Sequence, residues 1–78
     1  KLLPNPAEKF IKIEFIGNGM QQTLSIYDKL GRALINQTYE KVVGKTSIEI
    51  SLETFASGIY TVRLQSSTKT ETQKLIVR

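Results

Sequence analysis

The chain contains no histidine and no cysteine, and together these absences exclude most familiar chemistry. Without cysteine there is no disulfide to staple the fold, no thiolate metal site and no thiol nucleophile. Without histidine the usual general base and the commonest metal ligand are missing. The carboxylates that remain are Asp28 and six glutamates, and no two of them stand in an obvious pair. The sequence therefore reads as non-catalytic, with no cofactor and no metal site expected.

Long apolar runs are also lacking. No stretch approaches the roughly 20 apolar residues that a membrane-spanning helix needs, and Lys1-Leu2-Leu3-Pro4 is too short for the core of a signal peptide. Membrane insertion is not expected. The sequence has no initiator methionine, which predicts a fragment, an excised domain or a processed product of a larger protein, with any export signal upstream.

The formal charge of +4 raises nucleic acid or an anionic membrane surface as partners. The bases argue against both, because they are scattered from Lys1 to Arg78 with no basic run and no basic amphipathic helix. At 78 residues the chain is one domain spanning 1–78, with a thin core. A chain of this size buries only roughly 60% of the surface exposed when unfolded, which sets its expected stability at about 5 kcal/mol or less.

What is present is period-two alternation, broken by turn residues, which predicts an all-β fold. Ile11, Ile13 and Phe15 point one way while Lys12 and Glu14 point the other, and Gly17-Asn18-Gly19 is predicted to close that strand. Thr23 to Asp28 follows, with Leu24 and Ile26 on one face. Asp28-Lys29-Leu30-Gly31 has the chemistry of a hairpin turn: an aspartate whose carboxylate accepts backbone N–H bonds, and a glycine suited to a left-handed residue. Arg32 to Tyr39 returns with conflicting facing, since Ala33 and Ile35 compete with Leu34 for the core, and a bulge would resolve the conflict.

Beyond a polar loop containing Gly44, Ile48, Ile50 and Leu52 alternate with Ser47, Glu49 and Ser51. Phe55 is the expected core plug of the connection that follows. Gly58 restarts the sheet, with Tyr60, Val62 and Leu64 inward. Ser66 to Lys69 is a turn, and Glu71 to Val77 is the last strand, with Leu75 and Val77 opposite Lys74, Ile76 and Arg78. Six or seven short strands at this spacing predict an immunoglobulin-like antiparallel β-sandwich. Periodicity leaves the strand order open.

Four pieces in order carry a family resemblance: Pro4-Asn5-Pro6; Leu24-Ser25-Ile26-Tyr27-Asp28 running into Gly31-Arg32; Leu52 and Phe55 ahead of Gly58-Ile59-Tyr60; and Lys74-Leu75-Ile76-Val77-Arg78. Together they resemble the type IX secretion C-terminal sorting domains of Bacteroidota bacteria, over nearly the whole chain. Phe55 departs from the leucine that the family more often carries there. The resemblance implies a targeting signal that sends a cargo protein through the periplasm and outer membrane to the cell surface or medium. The implied partners are the secretion machinery, including an outer-membrane shuttle barrel and a sortase-like cysteine peptidase.

The candidate partner-binding residues each have a structural reading as well. Pro4, Asn5 and Pro6 form either a recognition handle or a rigid extended lead-in. Turn chemistry explains Asp28 and Gly31, which leaves Arg32 as the functional candidate. Lys74, Leu75, Ile76, Val77 and Arg78 form either a docking edge for β-augmentation or an ordinary last strand with charges facing water. The alternative function is an accessory module that binds carbohydrate or a surface protein. It would need an exposed aromatic platform, for which Tyr27, Tyr39 and Phe10 are the candidates.

Overall fold

A computed structural model describes residues 2–3, 8–40 and 42–78 of the protein, and Pro4-Asn5-Pro6 lies outside them. Its strands are β1 (Leu2–Leu3), β2 (Phe10–Asn18), β3 (Gln22–Tyr27), β4 (Ala33–Tyr39), β5 (Val43–Ser51), β6 (Gly58–Gln65) and β7 (Thr70–Val77). All pairings are antiparallel. One sheet has the order β1-β2-β5 and the other β4-β3-β6-β7. This is the immunoglobulin-like sandwich with the fourth strand moved to the edge beside the third.

Alternation places the core where the sequence predicts it. From the three-stranded sheet, Ile11, Ile13, Ile48 and Ile50 point inward, and from the four-stranded sheet Leu24, Ile26, Tyr60, Val62, Leu75 and Val77 meet them. Leu52 plugs the passage from β5 to β6, pinned by its backbone N–H to the Lys9 carbonyl at 2.9 Å. Phe55 packs against the core from the same connection, its ring 5.1 Å from that of Tyr60. Burying one such aliphatic side chain contributes about 1.5–3 kcal/mol, so in a domain this small each of these positions matters.

The facing conflict in β4 is settled by a bulge. The register runs Ile26 to Ile35 and then jumps to Tyr27 with Ala33, so Leu34 is the extra residue. Ile35 thereby turns onto the core while Leu34 stays 47% exposed.

Two glycines stand elsewhere than the sequence reading places them. β2 does not close at Gly17 but runs on to Asn18, and Gly44 lies inside β5 instead of in a loop. The cause is the direct pairing of Gly17 with Gly44, followed by Asn18 with Val43. Gly17 is buried, and a Cβ there would collide with the carbonyl of Val42. Glycine at 17 serves close backbone approach, not a turn.

Candidate functional site

The β3–β4 turn shows how far local chemistry can fix a surface side chain. Gly31 adopts φ 84° and donates its N–H to the Asp28 carbonyl at 3.0 Å. The Asp28 carboxylate then works with both oxygens. Oδ1 accepts the backbone N–H groups of Leu30 and Arg32 at 2.9 and 3.0 Å. Oδ2 takes Nε of Arg32 at 2.8 Å. The backbone N–H of Arg32, then its guanidinium and the Leu30 N–H, hold the Asp28 carboxyl below its ordinary pKa. Arg32 itself remains 73% exposed, tethered to an Asp28 side chain that is 14% exposed.

β7 is an edge strand, paired to β6 on one side and to no strand on the other among the described residues. Its alternation divides the sequence candidates. Leu75 and Val77 are buried and serve the core, so on the folded domain they offer a partner only backbone groups. Lys74, Ile76 and Arg78 are exposed. Ile76 sits directly opposite Ile59 of β6, and the two remain 40% and 53% exposed on the outer face of the sheet.

Ile59 is the link that sequence reasoning missed. It lines an open groove of about 600 Å³ together with Leu30, Arg32, Ala56, Gly58 and Tyr60. The Asp28–Arg32 turn and the Gly58-Ile59-Tyr60 segment thus form two walls of one groove, and Ile76 adjoins it through Ile59. Phe55 and the hydroxyl of Tyr60, which donates to the Ala56 carbonyl, stiffen the second wall. The signal available in the sequence was an apolar Leu30 within a polar turn and an Ile59 out of phase with the inward Tyr60; their adjacency needed the strand order.

The aromatic candidates do not assemble into a platform. Tyr27 is half-buried under Arg63, whose Nη2 donates to its hydroxyl at 2.6 Å and whose guanidinium carbon lies 5.2 Å from the ring centre. Tyr39 packs against the core from β4, with its hydroxyl donating to Oε1 of Gln37 at 2.6 Å. Phe10 is on the other sheet. Among the described residues no three acidic side chains converge on a metal-sized site.

Fold and surface together define a small antiparallel sandwich whose accessible features suit contact with another macromolecule: an edge strand, a tethered arginine and an apolar groove. Across residues 1–78 the chain matches the sequence model of the secretion system C-terminal sorting domain, and it belongs to that family. It is a sorting signal for type IX secretion, a generally non-catalytic class of domain that engages the type IX secretion system and implies delivery to the cell surface or medium. A search of the curated proteins found none that matches the chain.

Proposed function

We propose that the domain is the non-catalytic address label of a larger secreted protein, read in the periplasm through the outer edge of β7. Its reader is an outer-membrane shuttle barrel, and a sortase-like peptidase then releases the cargo at the cell surface. The observation that carries this reading is the position of β7 at the end of the four-stranded sheet, with Lys74, Ile76 and Arg78 exposed. An open edge supplies a ladder of backbone groups to an incoming strand, and the exposed side chains supply selectivity. Lysine on such an edge also keeps it from pairing indiscriminately. The absence of histidine and cysteine supports leaving all cleavage chemistry to the machinery.

Deleting Lys74 to Arg78 would not test this, because it removes Leu75 and Val77 from the core and unfolds the domain. The useful variant is Lys74→Glu with Arg78→Glu, which changes exposed residues alone. Fused to a reporter cargo in a host with a type IX system, it is expected to leave the cargo in the periplasm, with circular dichroism of the purified domain showing that it is folded. Normal surface display of that variant would contradict docking through β7.

A further inference from the structure

We propose that the groove between the β3–β4 turn and the Ala56–Tyr60 segment binds an acidic peptide segment of a protein partner. A carboxylate of that segment sits on Arg32 and a neighbouring apolar side chain lies against Leu30 and Ile59. The inference takes Arg32 as partner-facing and identifies what it holds; it does not depend on docking through β7.

The arginine is built as a receptor. Asp28 engages only Nε of its guanidinium. Neither Nη atom has a hydrogen-bond partner among the described residues, although 73% of the side chain is exposed. A guanidinium gripped at one edge has already lost much of its rotamer freedom, and it presents its remaining N–H groups as a planar fork that matches a carboxylate. The electrostatics favour the same ligand. Lys29 also lines the groove, and among the described lining residues Asp28 is the one acid; its charge is paired with Arg32 within the turn, which leaves the groove a net charge of +1. An exposed ion pair alone binds weakly, so apolar contact must add to it. Leu30 and Ile59 are available for that, at 73% and 53% exposed.

Other occupants fit less well. A second copy of the chain would bring another net charge of +4 to a basic rim. An anionic lipid or nucleic acid surface would call for a broad array of bases, and among the described residues the groove offers two beside an aliphatic floor.

The test is a titration of the 78-residue domain, followed by amide shifts in proton–nitrogen correlation spectra, with a capped hexapeptide carrying one glutamate beside one leucine. The expected result is saturable shifts confined to residues 29–32 and 56–60. Replacing the peptide's glutamate by glutamine, or Arg32 by Gln, should weaken binding about two- to fivefold, the scale of an exposed ion pair. Arg32→Lys should weaken it as well, since lysine keeps the charge and loses the fork. Leu30→Ser should weaken binding without touching any charge, and it decides the matter should Arg32→Gln disturb the turn. Lys74→Glu alone, opposite Thr61 and outside the groove lining, should bind the peptide like the native domain, which separates this site from the edge of β7. The proposal is overturned by an absence of saturable shifts, or by equal binding to Arg32→Gln and Leu30→Ser. It is equally overturned by shifts that appear with protein concentration alone, or that phosphatidylglycerol vesicles produce and the peptide does not.

Discussion

Replacing Gly17 by alanine adds one methyl group, and the structure predicts a cost far above what a surface strand residue would carry. The new Cβ meets the carbonyl oxygen and carbon of Val42 and also its Cγ1. That carbonyl has little room to retreat, because it accepts the Gly19 N–H at 2.7 Å while the Val42 N–H points to the Met20 carbonyl at 3.4 Å. Overpacking of this kind costs about 1–3 kcal/mol, and losing the Gly19 bond adds about 1 kcal/mol. The stiffer unfolded chain of the alanine variant returns about 0.4–1 kcal/mol. The net expectation is a destabilisation of about 1–3.6 kcal/mol, a large share of the about 5 kcal/mol that so small a core supplies. Urea unfolding followed by circular dichroism measures it directly; with a slope near 1 kcal/mol per molar, the midpoint should fall by about 1–3.6 M. Because the obstacle is mainly backbone, adding Val42→Ala should restore only part of the loss. A Gly17→Ala domain as stable as the parent, or one fully rescued by Val42→Ala, would refute the reasoning.

Three further outcomes follow from the same geometry. Leu75→Ala, at a fully buried position of β7, should lose about 2–5 kcal/mol, so calorimetry should find its melting temperature far below the parent's, whereas Ile76→Ala should melt much closer to the parent. Asp28 has a folded-state pKa below its unfolded one, set first by the Arg32 N–H. Its contribution is therefore present above the ordinary carboxylate range and fades as pH falls through the folded value. The gap in melting temperature between the parent and Asp28→Asn should accordingly be widest near pH 7 and close in acid. Tyr27→Phe removes the acceptor of Arg63 Nη2, next to an Nε that is already buried without a partner, and should cost about 1–2 kcal/mol in urea unfolding.

Much of this fold is legible in the sequence because the strands are half-buried and their side chains alternate. Ile11, Leu24, Ile50, Val62 and Leu75 all face inward as the period-two pattern requires. The Asp28 turn was legible because its chemistry is local, and the bulge at Leu34 because two facings could not both be satisfied. Gly17 and Gly44 were misplaced for the opposite reason: their pairing is a long-range contact, and glycine adjacent to asparagine looks the same in a turn as at a close approach between strands. The groove was hidden for a similar reason. Arg32 and the last strand were visible as separate candidates, but nothing local says that Ile59 stands beside the Asp28–Arg32 turn and opposite Ile76. Tyr27 looked like a surface ring because Arg63, which covers it, lies on a different strand.

The most direct test of the sorting role is to fuse residues 1–78 to the C-terminus of a periplasmic reporter that is not otherwise exported. Its distribution is then measured in a host with an intact type IX system and in an isogenic strain lacking that system. The account predicts reporter at the cell surface or in the medium of the first strain and retention in the periplasm of the second. A reporter confined to the periplasm of both, with the fused domain folded, would contradict it.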